Sequence, residues 1–153
     1  MKGYPRWFPA FIIVTVVALI ASGCLLAPTT LFFRYEYDVP WRLSGDNRII
    51  IVFVHVLVSY IILMAMGAIW HLHMRIGLRN RVNICSGLQL VACFVVLTLT
   101  GVSILYFSNE QLLNAASLIH LGCGGIIPIV LSYHIIKGRI YNKLHSHKYK
   151  YLN

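Results

Sequence analysis

Four apolar runs, each of 20 or more residues without an Asp, Glu, Lys or Arg, dominate this 153-residue chain. They cover roughly residues 8–27, 49–74, 84–107 and 112–136. A helix needs about 20 such residues to cross about 30 Å of hydrocarbon, where the backbone must satisfy its own hydrogen bonds. Only 11% of the residues are charged, against about 25% in a soluble domain. The sequence therefore predicts one all-α membrane domain, an up-down-up-down bundle of four transmembrane helices, and excludes a soluble enzyme.

The distribution of charge sets the expected orientation, because loops on the cytoplasmic side of a membrane are enriched in Lys and Arg. One side holds ten basic and no acidic residues: Lys2, Arg6, Arg75, Arg79, Arg81, Lys137, Arg139, Lys143, Lys148 and Lys150. The other side holds all four acidic residues and three arginines: Glu36, Asp38, Asp46, Glu110, Arg34, Arg42 and Arg48. We expect a multi-pass protein of a bacterial inner membrane, with both termini and the 137–153 tail cytoplasmic and the 28–48 loop outside. The basic tail favours contact with anionic lipid rather than nucleic acid.

The cysteines and the first run carry two further interpretations. Ala21 to Cys24 resembles a lipoprotein cleavage site, but Ala21 stands where Leu is usual, so we interpret the run as a membrane helix. The four cysteines form neither CxxC nor CxxCH, which leaves covalent haem attachment and a zinc ribbon unsupported. Cys24 and Cys123 both lie toward the outer side and could pair, although small apolar membrane residues are the favoured interpretation.

Five of the seven histidines lie in only two of the runs, His55, His71 and His73 in the second, His120 and His134 in the fourth. Ionisable groups inside a membrane are costly and generally functional. His120 and His134 are 14 residues apart, which on a helix is about 21 Å and within about 40° of one face. His55 and His73 are 18 residues apart, or five whole turns. The second and fourth helices run parallel, so we expect His55 level with His120 and His73 level with His134.

Two facing imidazoles at each of two depths form the ligand pattern of haem b, which is held by two axial histidines without covalent attachment. The third run supports this pattern, because Gly87 and Gly101 are also 14 residues apart and fall at the inner and outer levels. A helix beside a flat porphyrin needs a position without a side chain. Gly23 falls at the outer level of the first run, whereas Pro9 stands where its inner glycine would be. The predicted iron ligands are His55 and His120 for one haem, and His73 and His134 for the other.

This pattern resembles that of four-helix b-type membrane cytochromes: the cytochrome b-561 superfamily, the membrane subunits of nickel–iron hydrogenases and formate dehydrogenases, and the haem core of quinol-oxidising bc complexes. In the bc complexes, parallel second and fourth helices each give two ligands, and glycines at similar spacing flank the haems. The matching residues here are His120, His134, Gly87, Gly101 and, as the outer ligand of the second helix, His55. The resemblance covers about residues 8–139. It implies a dihaem cytochrome b that transfers electrons between membrane quinone and a redox partner.

The inner ligand of the second helix has two candidates. His73 lies about 27 Å from His55, a turn further than the resemblance implies, while His71 is nearer in depth but about 160° from the His55 face. A tilted or bulged helix would reconcile either residue. In the segments His73–Arg79 and His134–Arg139, a glycine follows the histidine after four residues, which favours His73. The candidate partners of the haem propionates are Arg48 on the outer side and Arg75 and Arg139 on the inner side.

We expect an electron-transfer subunit of an oxidoreductase rather than a stand-alone enzyme, since the sequence has no nucleotide fingerprint and no second catalytic cluster. The expected partners are membrane lipid, quinone, and a periplasmic or membrane cytochrome or oxidoreductase. Glu110 is the candidate proton acceptor for outer quinone chemistry, and its other interpretation is a plain loop carboxylate. The alternative function is a haem-free structural or assembly subunit, which gives no reason for matched 14-residue spacings of His and Gly.

Overall fold

The computed structural model describes residues 4–43 and 45–150, apart from the side chains of residues 72, 142 and 145–150. Within these ranges the chain is helical and has no strand. Its elements are α1 (Phe8–Tyr35), α2 (Gly45–Ile69), a π-helical segment (Trp70–Met74), α3 (Arg75–Arg79), α4 (Ile84–Tyr106) and α5 (Glu110–Lys150). Four helices are long and apolar enough to cross a membrane: α1, α2, α4 and the Glu110–Tyr141 part of α5. The predicted four-helix membrane bundle is confirmed.

Two helices extend beyond their apolar runs. α1 continues through Pro28 to Tyr35 and ends at Glu36, whose left-handed φ of 56° lets its N–H bond to carbonyls of the last turn. The loop between α1 and α2 is therefore shorter than the predicted 28–48. α5 continues through the basic tail to Lys150. The apolar run and the helix need not end together, because Lys, Arg and Leu are good helix formers and allow a helix to continue beyond the apolar run.

The helices form two antiparallel hairpins, α1 with α2 and α4 with α5, and α1 also packs against α5. At one end of the bundle, the Tyr4 hydroxyl donates to the carbonyl of Ala68 at 3.1 Å. At the other end, the Tyr35 hydroxyl donates to the carbonyl of Asn114 at 2.8 Å and joins α1 to α5. We call the end where α1 begins the inner end and the end where it finishes the outer end, following the predicted orientation.

The core is an apolar layer halfway along the bundle. It consists of Val16, Ile62, Ala65 and Ile127, with Phe94 and Leu97 of α4 packed against it. Ile127 is seven residues from both His120 and His134, so the layer separates the two histidine levels by about 10 Å on each side. Most other apolar side chains face outward, and no residue of the most apolar stretch of α4 is buried. That pattern fits a chain whose solvent is lipid.

Candidate functional site

The structure brings four of the histidines together in two pairs, one at each level. The ring centroids of His55 and His120 are 6.2 Å apart, and those of His73 and His134 are 6.0 Å apart. A metal–imidazole bond is about 2.0 Å long and the ring centre lies about 1.1 Å beyond the nitrogen, so two imidazoles on opposite sides of one metal have centroids about 6.2 Å apart. Both pairs therefore have the spacing of two axial ligands on a shared metal ion.

The number of ligands favours haem over a bare ion. Among the residues that the structure describes, no group of three or more His, Cys, Asp and Glu side chains converges. Zinc takes four protein ligands in structural sites and three in catalytic sites, so a pair of histidines is too few. Haem iron needs only two axial ligands from the protein because the porphyrin supplies the others. Two histidines at each level is the number of ligands that a haem iron takes from the protein.

Three of the four histidines are hydrogen-bonded through Nδ1 to a hydroxyl group on the other helix of the same hairpin. The pairs are His55 with Ser22 at 2.8 Å, His120 with Thr100 at 2.9 Å, and His134 with Ser86 at 2.9 Å. Each histidine is thus oriented by its own hairpin and faces a histidine of the other hairpin. A histidine that binds a metal through one ring nitrogen is generally oriented in this way, by a hydrogen bond at its other ring nitrogen.

The other contacts of these hydroxyl groups favour one histidine tautomer. The Ser22 hydroxyl donates to the carbonyl of Ala18 at 2.8 Å, and the Thr100 hydroxyl donates to the carbonyl of Val96 at 2.7 Å. A hydroxyl has one hydrogen, and a carbonyl only accepts. With that hydrogen on the carbonyl, each hydroxyl oxygen is left to accept from an N–H at Nδ1 of its histidine. The lone pair then lies on Nε2, the nitrogen left to bind a metal.

A glycine follows each of the three hydroxyl residues. A Cβ at Gly23 would lie 3.3 Å from Cε1 of His55, one at Gly101 would lie 3.4 Å from Cε1 of His120, and one at Gly87 would lie 3.5 Å from Cε1 of His134. The imidazoles rest against bare backbone. Clearance for a porphyrin at Gly87 and Gly101 stays a prediction; the atoms nearest to a Cβ added at either position belong to the imidazole rings of His134 and His120.

The contacts of the three hydroxyl residues with histidines were not predicted from the sequence. Ser-Gly or Thr-Gly occurs three times within the apolar runs, at Ser22, Ser86 and Thr100. Each occurrence includes one of the glycines at a histidine level. The recurrence could have indicated these roles, because in each pair the hydroxyl group can bond an imidazole and the glycine leaves space for its ring.

His73 differs from the other three. It lies in the π-helical segment Trp70–Met74, and no side chain or backbone group in the described ranges hydrogen-bonds to it. A π-helical turn holds more residues than an α-helical turn, which reconciles the 18-residue spacing from His55. His71 is exposed and lines an open cleft of about 270 Å³ with Arg75, Ile76 and Arg79. The structure thus brings His73, not His71, opposite His134.

The other candidate residues lie at the ends of the bundle. Arg48 is exposed in the first turn of α2, with its guanidinium carbon 5.4 Å from the ring centre of Phe33. Arg139 is exposed on α5, beyond His134, and Glu110 is the exposed first residue of α5. Within the described residues, none of these three side chains bonds to a paired histidine. The four cysteines, including Cys24 and Cys123, are free thiols.

Comparison with known proteins yields no relative. No family model, curated protein or solved structure matches the chain.

Proposed function

We propose that the chain is a dihaem cytochrome b that transfers electrons across the membrane, between membrane quinone and a redox partner, as a subunit of a larger oxidoreductase complex. One observation carries the proposal: two histidine pairs on α2 and α5 with centroid separations of 6.2 and 6.0 Å. A haem-free scaffold gives no reason for two such matched gaps.

Each bound haem supplies reversible one-electron chemistry at its iron. The residues of this chain hold the iron, orient its ligands and control its surroundings. Nε2 of each paired histidine is the proposed ligand atom, and the hydroxyl groups of Ser22, Thr100 and Ser86 fix the ring orientation. Because these oxygens accept from Nδ1–H, they make the imidazoles stronger donors to iron.

The spacing of the two levels supports a path for electrons through the bilayer. His120 and His134 are 14 residues apart on α5, which is about 21 Å along the helix and most of the hydrocarbon thickness. The apolar layer around Val16 and Ile127 lies between the levels and excludes water there. An electron that enters at one level thus has a second site within the same bundle, nearer the opposite surface.

Features of the outer end support a partner and a quinone there. Tyr37 and Trp41 of the outer loop are 68% and 74% exposed, and aromatic side chains of this kind anchor protein contacts. Glu110 is an exposed carboxylate at the start of α5 and is the proposed proton acceptor for a quinol at this end. The segments at the inner end of the bundle contain no acidic residue. Protons for a quinone at that end would come from His71, water or a partner subunit.

A visible spectrum and a haem count test the proposal. The purified protein should contain two haems b per chain in a pyridine haemochrome assay, with a dithionite-reduced minus oxidised spectrum typical of low-spin haem. H120A should lose the outer haem and H134A the inner haem, whereas H71A is the matched control and should retain both. Protein without haem, from cells with ample haem, would overturn the proposal and favour the structural subunit.

A further inference from the structure

We infer that His73 is an exchangeable ligand, so that the inner haem iron binds a small neutral diatomic molecule in place of the His73 imidazole. This inference rests on the proposed function and adds a ligand-binding site to it. The four histidines are chemically identical, so the difference must come from how the chain holds each of them.

The first observation is the missing hydrogen bond. Ser22, Thr100 and Ser86 each bond the Nδ1 of one paired histidine at 2.8–2.9 Å. His73 makes no such bond to any described residue. A ligand that leaves iron must also break its own hydrogen bond, and among the contacts of the described residues His73 has none to break. A net hydrogen bond changes an equilibrium by about fivefold, which sets the expected bias between the ligands.

The second observation is the backbone that carries His73. The Trp70–Met74 segment is π-helical, and π-helical turns have poorer hydrogen-bond geometry than α-helical turns and occur as single-turn bulges, often at functional sites. A shift of one residue from π to α geometry rotates a side chain by about 100° around the helix axis. That rotation moves the His73 ring away from His134 without disturbing α2, which ends at Ile69.

The third observation is space next to the segment. An open cleft of about 270 Å³ lies against the same stretch of chain, lined by His71, Arg75, Ile76 and Arg79. The outer pair has no equivalent freedom, because His55 and His120 each rest against a glycine and a hydroxyl of the adjacent helix. The cleft therefore lies beside the segment that carries His73, at the inner level.

The proposed exchange involves no electron transfer. The bond between iron and Nε2 of His73 breaks, a bond between the reduced iron and the diatomic molecule forms, and the neutral imidazole keeps its proton on Nδ1. Carbon monoxide is the probe, because it binds ferrous haem, does not oxidise it and shifts its visible spectrum.

The experiment records the spectrum of the dithionite-reduced protein with carbon monoxide minus that of the reduced protein, and then the binding rate after rapid mixing. The inner haem should bind carbon monoxide at a concentration about fivefold lower than the outer haem, and H134A should abolish the inner signal. The rate should level off at high carbon monoxide concentration, because departure of His73 then limits it. In H73A the binding rate should rise linearly with carbon monoxide concentration. The concentration that half-saturates the inner haem should fall by at least about tenfold.

S22A is the matched variant at the outer level, since it removes the hydroxyl that bonds His55, and the described residues offer no such group to His73. It should raise carbon monoxide binding by the outer haem about fivefold at a fixed pressure. Two haems with no carbon monoxide binding, or an outer haem of the native protein that binds carbon monoxide as readily as the inner haem, would overturn the inference and leave the proposed function standing. Absence of haem would overturn the proposed function itself. If H73A fails to fold, the native rate curve still decides, because a rate linear in carbon monoxide excludes ligand departure as a step.

Discussion

Replacing Thr100 with valine removes a single hydrogen-bond acceptor from a proposed iron ligand and keeps the branched shape of the side chain. Thr100 lies 2.9 Å from Nδ1 of His120 and donates its own hydrogen to the carbonyl of Val96 at 2.7 Å. In T100V, Nδ1–H loses its acceptor, so the imidazole becomes a weaker donor to iron. The ferric state depends more on that donation than the ferrous state, so the reduction potential of the outer haem should rise.

The magnitude follows from the net strength of one hydrogen bond, about 1 kcal/mol. For a one-electron couple, a tenfold change in the equilibrium constant, about 1.4 kcal/mol, corresponds to about 59 mV. If the whole bond energy were confined to the oxidised state, the shift would be about 43 mV, and if half were, it would be about 20 mV. We therefore expect an upward shift of about 20–40 mV in the outer haem and none in the inner haem.

An optical redox titration of the purified protein in detergent measures both potentials at once. T100S is the control, because it retains the hydroxyl and should keep the native potentials within about 10 mV. S22A should raise the potential of the same haem, since Ser22 bonds the opposite ligand His55, while S86A should raise only the other. A downward shift, or an equal shift of both haems in T100V, would refute the assigned direction of the hydrogen bond.

Three other expectations follow from the geometry. The rings within the two histidine pairs are inclined at 67° and 77°. Two axial imidazoles at such angles would keep two d orbitals of the iron close in energy, so the ferric protein should give strongly axial low-spin electron paramagnetic resonance signals. A rhombic spectrum would contradict this expectation. A Cβ would lie 3.3 Å from an imidazole carbon at Gly23 and 3.5 Å at Gly87, so G23A should release more haem than G87A, and equal haem-to-protein ratios would argue against imidazole clearance. Buried Thr29 donates to the carbonyl of Leu43 at 3.2 Å, so T29V should lower the free energy of unfolding by about 1 kcal/mol in a denaturant titration, and an unchanged midpoint would show that this bond is not stabilising.

The four spans are predictable from the sequence because lipid imposes a length and a composition on every helix that crosses it. The levels of His120 and His134 are predictable for a related reason, since 14 residues of regular α-helix return to nearly the same face. Both predictions use only average helical geometry. They hold where the chain keeps that geometry, as it does along α5 between the two histidines.

The choice between His71 and His73 was not predictable in the same way. Regular α-helical geometry puts His73 too deep and His71 out of phase, and the π-helical segment Trp70–Met74 resolves the conflict. The roles of Ser22, Ser86 and Thr100 were hidden for another reason. In a membrane helix, a hydroxyl bonded to a carbonyl of its own helix is common, and only the neighbouring helix reveals that its oxygen also accepts from an imidazole.

The position of each hydroxyl within its own hairpin explains how the proposed sites can be assembled. Ser22 of α1 orients His55 of α2, and Thr100 of α4 orients His120 of α5. Helices that follow one another in the sequence thus set the ring direction and tautomer inside each hairpin. Their short connections close at low entropic cost. The contact between hairpins then needs only to set the distance between rings that already face each other. A metal bound between them would join the two hairpins directly, so haem binding and bundle stability would be linked. That link would be weakest at His73, for which the described residues offer no hydroxyl partner.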